Sequence, residues 1–225
     1  MFIKVNFRLF VVIIGSFVLI WTGCASPIHT LEIYNNGQPK FAREYKVISN
    51  GLRKDSITVK LIKYYRNGMR QYQQDIINNQ ANGQYISWHS TGVKSAKGRY
   101  LNGELSDKWI WWGKDGLPDS TRTFRKEMLH GEYIDYFGNG KPHKLKEYVE
   151  NKKYGYYKEF DENGKKVSVG EYRNDIPHGN WVWWQNRIKT RELTYENGLK
   201  NGPFRIYDKL GKKKIIGQYK NDKKD

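Results

Sequence analysis

Short blocks rich in aromatic and β-branched residues alternate along the chain with polar blocks that contain glycine. Glycines that close the apolar blocks recur at intervals of 24 residues, at Gly68, Gly92, Gly116, Gly140 and Gly164. One aromatic residue lies four positions before each of these turn glycines, and a second lies eight positions after most of them. Repetition with a period of roughly 20 to 50 residues predicts an array of small supersecondary units.

The unit that starts at Gly131 shows which elements this pattern predicts. Residues 132–137 and 145–149 have strand composition, and the sequence Gly-Asn-Gly ending at Gly140 separates them. Two short strands around an Asn-Gly pair are a strong hairpin signal. A lone hairpin is marginal in water, so neighbouring hairpins should pair into one long antiparallel sheet. The fold class predicted is therefore all-β, a single-sheet solenoid of β-hairpins.

A second turn should join each hairpin to the next. We expect it at a second set of recurring glycines, where a positive φ would be useful. These are Gly83, Gly131, Gly155, Gly179 and Gly202.

The repeat is irregular in two places. The copy that starts at Gly179 is one residue shorter through its turn at Gln185-Asn186-Arg187. At the front, Gly37 and Gly68 are 31 residues apart, seven more than the period, and we expect the extra residues to form a longer loop near residues 49–55.

The distribution of aromatic residues over the two faces of the sheet stays open. Tyr133 and Tyr136 are three positions apart and would point to opposite faces of a regular strand. Either both faces carry aromatic residues, or a bulge brings them to one face.

The first 23 residues have the features of an export signal. Lys4 and Arg8 precede an uncharged apolar run at 9–21, which at 13 residues is shorter than the roughly 20 that a spanning helix needs. The run ends just before Cys24, the only cysteine, so no disulfide can form within the chain. We predict a signal helix at 1–23, a linker at 24–30, and a repeat domain of about seven to eight units at 31–225.

The segment around Cys24 resembles a bacterial lipoprotein signal. That resemblance implies that the Cys24 thiol is lipidated and becomes the new N-terminus, which would place the protein at the cell envelope as an exported, membrane-anchored lipoprotein. An ordinary cleaved signal and an uncleaved anchor are the alternatives.

The chain is strongly basic, with a formal charge of +17, or +15 once Lys4 and Arg8 are removed with the signal. Such an excess favours anionic surfaces in general, including phospholipid head groups and polysaccharides. The lysines are spread over turns and strand edges, where they also discourage pairing between sheet edges. For an exported protein we expect no nucleic-acid partner.

The repeat motif resembles a known family. A glycine is followed by aromatic residues two and five positions later and by a Gly-Lys pair, as at Gly131, Tyr133, Tyr136, Gly140 and Lys141. This pattern resembles the MORN-repeat variant family, also described as the YwqK-type antitoxin family, over about residues 31–221. The resemblance implies an elongated solenoid of antiparallel hairpins without catalytic activity, used for membrane-associated scaffolding or protein contact.

Candidate catalytic and metal-binding residues have simpler structural interpretations. His130 and His178 share one repeat position that asparagine fills elsewhere, which favours a turn-compatible polar residue over a metal ligand. Glu44, Glu147 and Glu171 are copies of one position, whereas a catalytic pair needs differentiated environments. We expect these glutamates to form cross-strand pairs with Lys or Arg. No catalytic residue, metal or cofactor is predicted.

Two tryptophan-rich segments depart most from the repeat. Trp109 and Trp181 fill regular aromatic positions, but Trp111 and Trp183 stand where other units have Asp135 or Glu159. One interpretation is that the extra indoles pack under a local loop or against the preceding hairpin. The other is that all four tryptophans, Trp109, Trp111, Trp181 and Trp183, form a candidate binding surface for a sugar ring, an acyl chain or a protein partner.

The sequence thus predicts a non-enzymatic, envelope-anchored scaffold for protein interaction with an unidentified protein partner. Two alternatives stay open: a binding module for anionic phospholipid or envelope polysaccharide, and an antitoxin-type neutralising protein.

Overall fold

A computed structural model describes residues 28–50 and 53–225, with side chains at 28–48 and 56–225. It also gives two short paired strands, β1 (Ile13–Ile14) and β2 (Phe17–Val18). The rest of the predicted signal segment and Cys24 lie outside the described residues, so both stay predictions. Within 28–50 and 53–225 there is no helix long and apolar enough to cross a membrane.

The repeat domain is a sheet of 17 strands, which confirms the predicted all-β hairpin array. The strands are β3 (Ile28–Ile33), β4 (Pro39–Asn50), β5 (Arg53–Tyr64), β6 (Arg70–Ile77), β7 (Gln80–Trp88), β8 (Lys94–Leu101), β9 (Glu104–Trp112), β10 (Pro118–Arg125), β11 (Met128–Tyr136), β12 (Pro142–Val149), β13 (Lys152–Phe160), β14 (Lys166–Arg173), β15 (Ile176–Gln185), β16 (Ile188–Glu196), β17 (Leu199–Tyr207), β18 (Lys213–Lys220) and β19 (Lys223–Lys224).

Each strand pairs antiparallel with the next strand in the chain, from β3 to β19. The result is one open meander with β3 and β19 at its two edges. The edge strand β19 consists of two lysines, a residue type that discourages pairing with another sheet edge.

Two kinds of turn alternate along the sheet. At the turn glycines, the chain reverses through a three-residue loop such as 138–140, in which the Gly140 N–H donates to the Phe137 carbonyl at 2.8 Å and Gly140 has a φ of +77°. The hairpins are joined by two-residue loops in which both residues have positive φ, such as Glu150 and Asn151 at +49° and +66°. That conformation matches the twist of antiparallel strands.

The second set of glycines does not form the second turn, so that prediction is wrong in position. Gly155, for example, lies inside β13, where three residues (154–156) face the single residue Glu147 of β12. The positive φ expected there is present, at +94° for Gly155, but it serves a β-bulge. The bulge increases the local twist, which a sheet of this width requires.

The front of the domain also differs from the prediction. The seven extra residues do not form a long loop near 49–55. They lengthen the hairpin instead, because β4 and β5 each contain 12 residues and stay paired from Phe41↔Lys63 to Asn50↔Arg53.

Both faces of the sheet carry aromatic residues, which decides the question that the sequence left open. In β11, Tyr133, Ile134 and Asp135 pair without interruption with both β10 and β12. Side chains therefore alternate regularly along this segment, and Tyr133 and Tyr136 point to opposite faces. The Tyr136 hydroxyl lies 3.4 Å from Thr121 Oγ1 on one face. The Tyr133 ring lies 5.6 Å from the Tyr148 ring on the other. We call the latter face, which also holds Trp109, Trp111, Trp181 and Trp183, the tryptophan face.

Hydrogen bonds between successive turns connect the repeats along both long sides of the sheet. The amide of Asn139 donates to the carbonyl of Glu162, 23 residues later, at 3.0 Å, and Asn36 and Asn67 make the equivalent bonds. On the other side, the Asn151 side chain accepts from Leu129 N–H at 2.8 Å while Asn151 N–H donates to the Leu129 carbonyl. These bonds fix the register of each hairpin against the next.

Candidate interaction surface

Trp109 and Trp181 form the centres of two aromatic clusters on the tryptophan face. They are only 3% and 6% exposed. Each indole lies flat over a glycine of the neighbouring strand, Gly98 or Gly170, where a Cβ would overlap the ring. The Trp109 Nε1–H donates to the carbonyl of Arg99 at 3.1 Å, and Trp181 makes the same bond to Glu171. Trp109 and Trp181 are therefore core residues. A binding partner would contact the side chains around them and not the two indoles themselves.

The clusters around these two indoles are built alike. Tyr85 and Tyr100 have ring centroids 5.5 and 5.1 Å from Trp109, and Tyr157 and Tyr172 lie at 5.4 and 5.1 Å from Trp181. The contacts between Tyr85 and Trp109 and between Tyr157 and Trp181 join equivalent positions of successive repeats. Burial raises the pKa of Tyr85, Tyr100 and Tyr172.

Trp111 and Trp183, the two extra tryptophans, are partly exposed and lie beside the buried ones. Trp111 stacks on Trp109 at 5.7 Å and 23°, and Trp183 stacks on Trp181 at 5.7 Å and 28°. Small residues pair with Trp111 from both neighbouring strands, Ala96 from β8 and Ser120 from β10, and both are buried. The indoles therefore cover positions that would otherwise be open on a sheet without a second layer.

An arginine from the following strand stacks on each of the two extra tryptophans. The guanidinium carbon of Arg122 lies 4.9 Å from the Trp111 ring centroid, and that of Arg191 lies 4.2 Å from the Trp183 centroid. Arg122 is also 5.0 Å from the Tyr133 ring, and its buried Nε has no hydrogen-bond partner among the described residues. Sequence reasoning did not identify these arginines. Arg191 pairs directly with Trp183, whereas Arg122 pairs with Trp109 and contacts Trp111 diagonally, so the strand register decides both contacts.

Asp135 and Glu159 occupy the same repeat position as Trp111 and Trp183, in the two units between them. Asp135 accepts from Lys146 at 2.8 Å. Glu159 accepts from Ser168 at 2.9 Å and from the Tyr157 hydroxyl at 3.1 Å. Burial raises the pKa of Tyr157, and the Glu159 carboxylate raises it further. One row across four repeats thus reads Trp, Asp, Glu, Trp.

Two of the three recurring glutamates have different surroundings from those expected. Glu44 lies 3.6 Å from Lys60 Nζ, as the prediction of cross-strand pairs requires. The carboxylates of Glu147 and Glu171 instead lie next to the bulge glycines Gly155 and Gly179. Asp75 occupies the same repeat position as Glu147. Its carboxylate accepts a hydrogen bond from the backbone N–H of Gln84 in the bulge at 2.8 Å, so an acidic side chain at this position can bind the bulge backbone.

Possible metal ligands do not converge in the described part of the chain. Within residues 28–48 and 56–225, no group of three or more His, Asp or Glu side chains could hold a metal ion. His130 has a buried Nδ1 that lacks a hydrogen-bond partner there.

Comparison with known proteins gives no family for this chain. No model of a known protein family matches, and no curated protein matches. Among solved structures, a crystal structure of the GtfA/B complex bound to UDP and GlcNAc is similar to 47% of this chain at 12% identity, with a TM-score of 0.23. The similar region spans 21% of that protein's chain. A likeness at this TM-score carries no argument about fold or function.

Proposed function

We propose that this protein is a non-enzymatic scaffold of the MORN-repeat type, anchored at the bacterial cell envelope through Cys24, whose tryptophan face binds a protein partner. The observation that carries the proposal is the pair of Trp–Arg stacks, Trp111 with Arg122 and Trp183 with Arg191. Tryptophan and arginine are enriched among the residues that contribute most to protein–protein binding.

The arrangement of these stacks favours a protein over a small ligand. The two extra tryptophans are three repeats apart, and a two-strand repeat advances a sheet by ~10 Å, so the stacks are separated by about 30 Å. A surface of that length suits a protein interface of standard size. Each indole stacks on another tryptophan and also has an arginine close to its ring centroid. These contacts leave less of each ring free for the stacking of a sugar.

The polar row between the stacks supports the same assignment. Asp135 and Glu159 are neutralised by Lys146 and Lys144 at 2.8 and 3.6 Å. The centre of the face therefore holds ion pairs and hydroxyl groups, with aromatic anchors at both ends.

The test uses the full-length protein expressed in its native host. Proteins captured from envelope fractions by the unmodified chain are compared with those captured by the double variant Trp111→Ser with Trp183→Ser. We expect the partner to be lost. The matched control is Trp112→Ser, which changes the position adjacent to Trp111 on the opposite face. Capture of the same partner by the tryptophan-face variant, with its fold intact, would overturn the proposal.

The anchor is tested separately with Cys24→Ser. We expect this variant to move from the membrane fraction to the soluble envelope fraction. A membrane-bound Cys24→Ser protein would show that the segment before residue 24 acts as an uncleaved anchor.

A further inference from the structure

The shortened repeat changes the shape of one long side of the sheet. Elsewhere on that side the hairpins end in three-residue loops, but the hairpin of β15 and β16 ends in the two residues Asn186 and Arg187, with φ of +51° and +71°. A cleft lies on each side of this shorter tip. One is lined by residues of the turn at Gly164, and the other by residues of the turn near Asp208.

The shortening also interrupts the row of asparagine bonds between turns. Asn36, Asn67 and Asn139 each occupy the position before a turn glycine and donate to a carbonyl of the next turn. Asn163 occupies the same position, but its side-chain amide makes no such bond within the described residues. Asn163 instead lines the first cleft.

The first cleft, of about 280 Å³, combines one aromatic ring with an excess of positive charge. Trp184 forms its apolar wall, and Lys166 Nζ lies 5.8 Å from the Trp184 ring centroid. Lys165 and Arg187 also line it. No acidic residue lines the cleft, and none of its three cations is in an ion pair within the described part of the chain. The second cleft contains Asp208 beside Lys209 and lacks this excess.

We propose that the cleft at Trp184 binds an acidic saccharide, through one carboxylate-bearing sugar ring. An indole offers an apolar platform of the size of a pyranose ring, and lysine and arginine supply charge-assisted hydrogen bonds to its carboxylate. The volume is at the small end for ligand sites, which suits a single sugar unit of a longer polymer that continues along the edge of the sheet. Trp184 points away from the tryptophan face, so this site is separate from the proposed protein interface.

The experiment is calorimetric titration of the full-length protein with three probes. Tetragalacturonate carries both ring and charge. Its fully methyl-esterified form keeps the ring without the charge, and tripolyphosphate carries charge without a ring. We expect binding of tetragalacturonate, and binding at least tenfold weaker for the ester and for tripolyphosphate at the same salt concentration. Equal binding of either comparison probe, or no binding of tetragalacturonate, would overturn the proposal.

Two substitutions that are compatible with the folded structure test the location of the site. Arg187→Gly suits a backbone with φ of +71°, and Lys166→Gln keeps most of the side chain. Each should weaken tetragalacturonate binding about tenfold or more, whereas Lys141→Gln, at the position equivalent to Lys165 one repeat earlier, should leave it unchanged. Equal losses in all three variants would mean that general positive charge attracts the polymer and would refute a site at Trp184. A preference for vesicles of anionic phospholipid over tetragalacturonate would refute the saccharide assignment.

Discussion

The indole of Trp109 lies directly over Gly98 of the neighbouring strand, so close that a Cβ at position 98 would overlap the ring. The same relationship joins Trp181 to Gly170 and Phe204 to Gly217. A single-layer sheet has no second layer to cover its backbone. In this protein the aromatic rings of the sheet itself cover the backbone of the neighbouring strand. The glycines make this possible because they have no Cβ where the ring lies.

Gly98→Ala should therefore destabilise the protein by about 1 to 3 kcal/mol, as expected when a methyl group is forced into a packed site. The measurement is the free energy of unfolding from chemical denaturation. Gly138→Ala is the matched control, because a Cβ there meets nothing within 4 Å and the residue does not need a positive φ. A loss as large in Gly138→Ala would show that the effect comes from glycine replacement in general and not from Trp109.

Asp107 occupies the repeat position that Gly83, Gly131, Gly155, Gly179 and Gly202 hold in the other bulges of this kind, and it has a φ of +60°. A left-handed conformation costs a non-glycine residue about 1 to 2 kcal/mol, part of which the unfolded-state entropy of glycine offsets. Asp107→Gly should then stabilise the protein by about 0.5 to 1 kcal/mol. The ion pair lost with Arg99, at 3.8 Å and exposed, contributes little.

The reverse substitution gives the comparison for this prediction. Gly131→Ala, at the equivalent position in the next repeat with a φ of +106°, should destabilise the protein. If thermal melting shows Asp107→Gly to be less stable than the unmodified protein, the strain argument for the bulge is wrong.

The repeat pattern was sufficient to predict the fold class, because the period, the strand composition and the Asn-Gly turns all indicate hairpins. It was not sufficient to place the second turn. Glycines such as Gly155 mark a need for positive φ, and both turns and bulges create that need. The two-residue loop before Gly155 uses Glu150 and Asn151, which lack the usual glycine signal, although Asn102-Gly103 and Asn197-Gly198 carry it in other repeats.

The surface was predicted less completely than the fold. The sequence identified Trp111 and Trp183 as extra, but exposure depends on neighbours across strands. Whether Arg122 stacks on Trp111 follows from strand register, which bulges shift by a residue or more in every repeat. The cleft at Trp184 follows from a one-residue shortening that the sequence showed plainly, yet its consequence appears only when adjacent turns are compared in space.

Glu192 is a buried carboxylate, 7% exposed, that lies 2.7 Å from Lys189 Nζ and 3.1 Å from Arg205. Burial raises the pKa of Glu192, but hydrogen bonds from Lys189, Tyr207 and Arg205 outweigh burial and hold it below the ordinary value. A depressed pKa contributes stability above the unfolded-state value of ~4.3, and this contribution is lost as the pH falls through the folded-state pKa.

Glu192→Gln should therefore lower the free energy of unfolding at pH 7 by about 1 to 3 kcal/mol and should reduce the loss of stability on acidification. Denaturation at pH 7 and at pH 3 measures both effects. Glu32→Gln is the control, because its ion pair with Lys40 at 2.9 Å is exposed. Identical pH profiles for the unmodified protein and Glu192→Gln would contradict the assignment of the acid-sensitive stability to this site.

Asn139 connects two repeats, since its amide donates to the Glu162 carbonyl while its oxygen accepts from Lys141 N–H, both at 3.0 Å. Asn139→Ala should lower the free energy of unfolding by about 1 kcal/mol, the usual net value of a hydrogen bond. Asp115→Ala is an internal comparison at the same repeat position. The Asp115 carboxylate accepts from Leu117 N–H at 3.0 Å within its own turn but has no N–H to donate to the next turn, so its replacement should cost less. Equal losses in the two variants would show that asparagine acts within its own turn, and the hydrogen bonds between turns would then have no part in holding successive repeats together.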